Sequence, residues 1–410
     1  SPAERLALLN RVAEVYKARM GEIAQAISEE MGAPISFAAG AQAPSGLGHF
    51  KAAARALDGF VWDEEVRGAR IVHEAIGVVG MITPWNWPLN QIAAKVAPCL
   101  AAGNTMVLKP SEECPTSAMI FADILAEAGV PAGVFNLVNG DGPTVGAALA
   151  AHADVDMISF TGSTRAGIAV AQAAAPTVKR VHQELGGKAP NLVLPGADLA
   201  EHLDKTLSGV LGNSGQSCVA PTRLLVSAGE QAAVEAHAAA SFARTPVGDP
   251  AQEGRHIGPV VNKTQFDRIQ ALIEGALAEG ARLVAGGPGL PEGVTQGYYV
   301  RPTVLADVTP QMRIFREETF GPVATITPYA TLDEGVALAN DTEYGLSAAI
   351  TGDPEQARAV AGRLRAGLVG INAWGPIPDA PFGGYKRSGN GREAGVYGLR
   401  DFLEVKSIVG

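Results

Sequence analysis

The chain is short of cysteine, of basic runs and of long apolar stretches, and each shortage removes a class of function. Its three cysteines, Cys99, Cys114 and Cys218, form no C-x-x-C pair. An odd number scattered through a long chain argues against a disulfide framework and against a structural zinc site. Seven scattered histidines show no metal-ligand spacing, so no metal is expected. With 32 Lys+Arg against 42 Asp+Glu the net charge is -10, and no segment is rich in Lys or Arg. Nucleic acid and anionic membrane surfaces need a basic footprint to displace counterions, so neither is expected as the main partner. Apolar stretches break at Gly, Pro or charge well short of a membrane span, and the first residues lack the apolar core of a signal peptide. A reducing, cytoplasmic setting fits these shortages.

What is present is a chain 410 residues long and 47% hydrophobic, long enough for two or three domains with real cores. From Ser1 to Glu30, Leu6, Leu9, Val12, Val15, Ile23, Ala26 and Ile27 recur at helical spacing until Gly32 and Pro34 stop the run. A second helical stretch surrounds Phe50 to Leu57, and Val66 to His73 reads as a protruding strand of a surface hairpin. From Gly77, short β-branched runs alternate with helices: Gly77 to Thr83, Thr105 to Leu108, Val134 to Val138, Val155 to Phe160 and Arg180 to Gln183. That alternation predicts an α/β fold with a doubly wound parallel sheet, whose ligands bind at the carboxyl ends of the strands. A second α/β region, from about Ala189 to Phe382, carries extended runs at Asn191 to Leu194, Arg223 to Val226, Arg282 to Ala285, Val323 to Tyr329, Ser347 to Thr351 and Gly367 to Ile371. No internal repeat or long linker separates the halves, so they are expected to pack around a cleft. The tail, Asp401 to Ile408, is extended with an exposed edge that calls for a pairing partner.

Unusual residues stand at the predicted strand ends. Cys218, in Asn213-Ser214-Gly215-Gln216-Ser217-Cys218, lies in a small polar loop where backbone N–H groups could lower a thiol pKa; the plainer reading is an inert buried hydrophobe. Cys99 and Cys114, in apolar or Pro-flanked contexts, take that plainer reading outright. Glu184 stands beside a glycine turn, Leu185-Gly186-Gly187-Lys188, where a partly desolvated carboxylate serves as a general base, or simply pairs with Lys188. Asn86, held in Thr83-Pro84-Trp85-Asn86-Trp87-Pro88, is a rigid amide donor for an oxyanion, or a turn Asn bonding its own backbone. Thr161-Gly162-Ser163-Thr164 opens a helix with free N–H donors for a phosphate. Gly140, Gly142 and Gly146 are one residue longer than the dinucleotide fingerprint, and plain N-capping accounts for both turns. Lys109-Pro110-Ser111-Glu112 offers a carboxylate for a ribose hydroxyl, or a surface Lys–Glu pair.

Together these segments resemble the NAD(P)-dependent aldehyde dehydrogenase superfamily over essentially the whole chain. The resemblance rests on the collinear Thr83–Pro88, Lys109–Glu112, Phe160–Thr164, Glu184–Lys188 and Gly215–Cys218 motifs, with Glu318-Thr319-Phe320-Gly321-Pro322 and Pro381-Phe382-Gly383-Gly384 following. It implies that Cys218 is the nucleophile, that Asn86 and the Cys218 N–H form the oxyanion hole, and that Glu184 activates the hydrolytic water, with Lys95 and Glu393 as a supporting proton path. It places Ile82, Thr83, Pro84, Trp85, Lys109, Ser111, Glu112, Gly142, Gly146, Phe160, Thr161, Gly162, Ser163, Leu185, Gly186, Glu318 and Phe320 around the cofactor. NAD is favoured because Glu112 would repel a 2′-phosphate, with NADP tolerated through Lys109. Trp87, Gln91, Ala94, Ser217, Val219, Trp374, Ile377 and Phe382 fall along an aldehyde tunnel whose aromatic walls suit aromatic or medium-chain aldehydes.

The resemblance divides the chain into a cofactor domain (1–57 and 76–186), a catalytic domain (187–385) and oligomerisation segments (58–75 and 386–410) of a homodimer or homotetramer. Family members carry several dozen more residues before the helix near Ser1, so the chain looks truncated there, with a targeting segment among what could precede it. The implied reaction is aldehyde to carboxylic acid through a thiohemiacetal and a thioester on Cys218. The alternatives are transfer of the acyl group to coenzyme A, which the presence of Glu184 argues against, an idle structural member of the fold, and a cofactor-free cysteine hydrolase.

Overall fold

The computed structural model describes residues 1–410. Its first sheet is six-stranded, with Val78–Ile82 flanked by Thr105–Lys109 and Phe135–Leu137 on one side and by Met157–Thr161 and Arg180–Glu184 on the other. These neighbours all pair in parallel. Met157–Thr161 is buried at every position, as expected of a strand covered on both faces. The chain leaves Val78–Ile82 first to one side and later to the other, so the carboxyl ends of Val78–Ile82 and Met157–Thr161 flank the switch point where such sheets take ligands. Gly389–Asn390 adds an antiparallel edge to Arg180–Glu184.

The second sheet runs Arg282–Ala285, Thr303–Ala306, Val323–Tyr329, Arg223–Ser227, Pro190–Val193, Ser347–Thr351, Leu368–Ile371. It is parallel except at the Arg282–Ala285 edge. Thr303–Ala306, a fully buried run too short to show a period, is a strand the sequence reading did not identify. The third sheet pairs Asp63–Val66 with Ala69–Ala75 across an Arg67-Gly68 turn in which both φ angles are positive, and Leu403–Val409 lies antiparallel on the other edge of Ala69–Ala75. The tail thus finds its partner within the chain.

Two boundaries differ from expectation. The first helical run is two helices, Pro2–Ala18 and Met20–Met31, because Arg19 turns to φ -103, ψ 11 between them. Of the expected segment 386–410, only Leu403–Val409 joins the small sheet. Gly389–Asn390 completes the first sheet, and helix Gly395–Asp401 packs on helices Ala43–Asp58 and Pro88–Ala102. Helix Pro88–Ala102 is buried nearly all round, so the charge it carries at Lys95 must be met inside the protein.

Candidate active site

The loop that carries Cys218 is held by backbone that only particular residues allow. Asn213 and Ser214 are left-handed (φ 55 for both) in the Gly212–Gly215 turn, and a Cβ on Gly215 would fall 2.0 Å from the Gly321 carbonyl carbon. Glycine there lets the Cys218 motif lie against the Glu318–Pro322 motif. A Cβ on Gly187 would likewise come 2.6 Å from the Cys218 carbonyl oxygen, so the Glu184–Lys188 turn presses on the same loop. Amides join the remaining motif: the Asn86 side chain donates to the Gln216 carbonyl at 3.1 Å, and Asn213 and Gln42 donate to the Asn86 carbonyl at 2.8 and 3.1 Å. Asn86 therefore bonds across to the Cys218 loop and not to its own backbone.

Cys218 is partly exposed, whereas Cys99 and Cys114 are core residues. It opens on a cavity of about 430 Å³ whose walls include Trp87, Gln91, Ser217, Val219, Trp374, Ile377 and Phe382. Ala94 is not among the walls; one turn deeper in its helix than Gln91, it is packed away at 2% exposure. Burial pushes the Cys218 thiol up, with Glu318 and Glu184 adding to the rise and the local N–H opposing it in part. The local N–H does lower this thiol, as expected of the glycine-rich turn, but burial outweighs it, and in the resting protein the group is a neutral thiol.

A second buried acid acts on this site. Glu184 is the last residue of Arg180–Glu184, and its two carboxylate oxygens are buried without a hydrogen-bond partner. Burial pushes its carboxyl up to about 7, His182 and Lys95 pulling it down and Glu393 pushing it up. It makes no pair with Lys188, whose ammonium instead donates to Thr319 at 2.9 Å and is itself pushed down to about 7 by burial and by Arg223. Around Glu184 lies a layer of buried charge. Lys95 pairs with Glu393 at 2.7 Å, and the Glu393 backbone is fixed by reciprocal bonds with Phe382. Burial favours the neutral form of Glu393, but Lys95, by charge and hydrogen bond, together with His182 and His49 outweighs it, so its pKa falls. His182 faces Glu184 at 3.5 Å on one ring nitrogen and bonds Asp401 on the other.

At the switch point of the first sheet the hydroxyls of Thr83 and Thr161, on neighbouring strand ends, are buried without partners. Ser163 caps the 11-residue helix Thr164–Ala174. The Gly142–Gly146 turn leads only into a five-residue helix; a Cβ on Gly142 would meet nothing within 4 Å and one on Gly146 only Ile82 at 3.8 Å, so close packing does not require either glycine. Lys109 and Glu112 do form the surface pair, at 2.9 Å, with Lys109 buried and Glu112 half-exposed. Across the cleft Glu318 accepts from the Gly187 N–H at 3.0 Å, and Phe320, left-handed at φ 57, meets the Trp85 ring at 5.5 Å. Orphaned hydroxyls, a capped helix start and an acidic strand end form a row that fits a dinucleotide.

Sequence reasoning missed His49, Asn90 and Ser45, which line the cavity from the helices at Ala43–Asp58 and Pro88–Ala102. It also missed His182, although two-residue alternation along Arg180–Glu184 puts it on the face of Glu184.

A cleft between two largely parallel sheets, with one partly exposed thiol on its wall and a row that fits a dinucleotide at its edge, has the layout of a dinucleotide-dependent oxidoreductase. The family model described as "Aldehyde dehydrogenase family" matches residues 1–408. The chain is 52% identical over 413 residues to 3-succinoylsemialdehyde-pyridine dehydrogenase of a Pseudomonas species, covering all of this chain and 86% of that protein. Its fold is similar to aldehyde dehydrogenase C of Pseudomonas syringae, a cysteine-to-alanine variant solved with NAD+ and octanal, at 54% identity and TM-score 0.98, over all of this chain and 84% of that one. It is also similar to a Mycobacterium tuberculosis aldehyde dehydrogenase solved with NAD+, at 37% identity and TM-score 0.97, over all of this chain and 85% of that one. The chain belongs to the aldehyde dehydrogenase family and is an oxidoreductase.

Proposed function

We propose that this chain oxidises an aldehyde to its carboxylic acid with NAD, Cys218 serving as nucleophile and Glu184 as the base that releases the product. The observation that carries the reading is a single cavity-facing thiol backed by a buried carboxylate whose oxygens accept no hydrogen bond. Such a carboxylate, at about 7, can take a proton from a water near neutral pH. Cys218 first loses its proton to water in the open cavity, its sulfur adds to the aldehyde carbon, and the Asn86 amide, already aimed at the Cys218 loop, with the Cys218 N–H holds the oxyanion. The nicotinamide, when bound, supplies the hydride acceptor that turns this thiohemiacetal into a thioester. Glu184 finally removes a proton from water, whose oxygen attacks the thioester carbon; the C–S bond breaks, acid leaves and the thiol is regenerated. The Lys95–Glu393 pair gives the proton a route onward.

Ile82, Thr83, Pro84, Trp85, Phe160, Thr161, Gly162 and Ser163 would hold the dinucleotide at the switch point, Lys109, Ser111 and Glu112 its adenosine ribose, and Leu185, Gly186, Glu318 and Phe320 its nicotinamide end. Exposed Glu112 beside Lys109 favours NAD over NADP. Trp87, Trp374 and Phe382 favour aromatic or medium-chain aldehydes, and a 52%-identical relative named for a pyridine semialdehyde and a 54%-identical one solved with octanal support that range. The edge Leu403–Val409, with Val405 and Val409 exposed, suits assembly with further copies as a dimer or tetramer. Its three free thiols suit the cytoplasm.

The test is rapid-mixing measurement of reduced nicotinamide with NAD and octanal. Glu184→Gln is expected to release a burst of about one equivalent per thiol and then stall, and Cys218→Ala to give none. Undiminished steady turnover in Glu184→Gln would sink the role of Glu184.

A further inference from the structure

Among the buried ionisable groups to which the mechanism gives no task, His182 stands against the base itself. His182 is 2% exposed, two residues before Glu184 on one face of Arg180–Glu184. Its Nε2 stands 3.5 Å from Glu184 Oε1, while its Nδ1 bonds the carboxylate of Asp401, the last residue of helix Gly395–Asp401. Asp401 is 21% exposed, and Arg180 on the same strand donates to its main-chain carbonyl at 2.7 Å. The three side chains form a line running from the base toward the surface, distinct from the Lys95–Glu393 pair.

We propose that Asp401 and His182 are positioning residues for Glu184: Asp401 holds the buried imidazole protonated, and the imidazolium holds the facing carboxylate ionised and ready to accept the proton of water. This rests on the reading of Glu184 given above. A buried imidazole between two carboxylates is placed to carry charge, because the neutral ring would leave both acids desolvated without a counter-charge. Burial alone would lower His182, yet its bond to Asp401 and the facing Glu184 carboxylate push it up to about 9. The other charges facing this pair are Lys95 from helix Pro88–Ala102, which helps to keep Glu184 ionised, and Glu393, which opposes it. Cys218 faces Glu184 from its loop as a neutral thiol, and His49, pushed down by burial, faces Glu393.

The sign follows. Glu184 must be ionised to act, so turnover rises with pH as it loses its proton, and a facing positive charge moves that rise to lower pH. Removing the charge moves it back up. For Asp401→Asn and His182→Gln, with NAD and octanal, the acid limb of kcat is expected to shift by about one pH unit to the alkaline side, since one opposite charge at this range is worth that much. The burst is retained, and Asp401→Glu restores the wild-type limb. Thermal melting reports folding; should His182→Gln not fold, Asp401→Asn, near-isosteric and partly exposed, carries the test. An unmoved acid limb in folded Asp401→Asn overturns the inference while leaving the proposed function intact. A wild-type enzyme with no thiol-dependent burst overturns the function itself.

Discussion

The two sides of Cys218 are built from opposite materials. In front, the cavity wall is Trp87, Val219, Trp374, Ile377 and Phe382, and the segment Pro376–Asp379 at its mouth is exposed. Behind, Lys95, Glu393, His182 and Glu184 are buried and charged within one layer. In the buried layer Lys95 pairs with Glu393 and His182 with Asp401, while Glu184 is faced by His182 at 3.5 Å and keeps both oxygens free of hydrogen bonds. The difference teaches where precision is needed. An apolar wall tolerates a range of shapes, since its contacts are non-directional. A buried charge tolerates no loss of its partner, because the desolvated group left behind has nothing to replace it.

The sharpest way to expose the contrast is to break the pair behind the thiol. Lys95→Met keeps the volume of a fully buried stem but strands Glu393, and a loss of about 3–5 kcal/mol in chemical denaturation is expected. Adding Glu393→Leu should recover much of that stability without recovering turnover. A Lys95→Met protein as stable as wild type would show that the layer is not a paired unit. Next in size is Asn86→Ala. It removes a donor at the junction of the two regions and should lower kcat by about 10²–10³-fold, the usual cost of one oxyanion donor. KM for aldehyde should change little, because the donor matters most once charge develops. A change confined to KM would move Asn86 from the oxyanion to ground-state binding.

The two regions also differed in how much of them the sequence disclosed. The strands around the thiol and the dinucleotide row were legible because α/β strands announce themselves as short β-branched runs and because motif glycines sit where backbones touch, as Gly187 and Gly215 do. Thr303–Ala306 was not legible, being a four-residue buried run without a turn signal of its own. In the charged layer, the Lys95–Glu393 pair was expected only through family resemblance, since 298 residues separate its members. His182 was hidden for a different reason. Its partners are Glu184, two residues on, and Asp401, 219 residues on, and only the second contact makes the first meaningful. Pairings of that separation are created by the fold, so the reach of sequence reasoning ended at residues whose neighbours lie close along the chain.

The smallest predicted effect tests the tolerant wall. Gly209 lies in helix Asp204–Leu211, where it has no need of a left-handed backbone, and a Cβ there would meet the Trp374 indole at 2.6 Å. Gly209→Ala therefore sets two modest terms against each other. Alanine favours the helix by up to about 1 kcal/mol over glycine, while the indole must leave its seat on the helix and strain its bond to Ser208 Oγ, now 3.2 Å. Trp374 lies just before the exposed Pro376–Asp379 stretch, so it can yield, and the open direction is into the cavity. Thermal stability is then expected to stay within about 1 kcal/mol of wild type. The displaced ring should narrow the channel, raising KM for octanal or benzaldehyde a few-fold while leaving acetaldehyde unchanged, the scale of a methylene-sized change in a hydrophobic pocket, about 1–3 kcal/mol at most. A large stability loss with KM values unaltered would mean that Trp374 is locked as firmly as the charges behind the thiol, and the contrast between a tolerant wall and an exacting layer would fall.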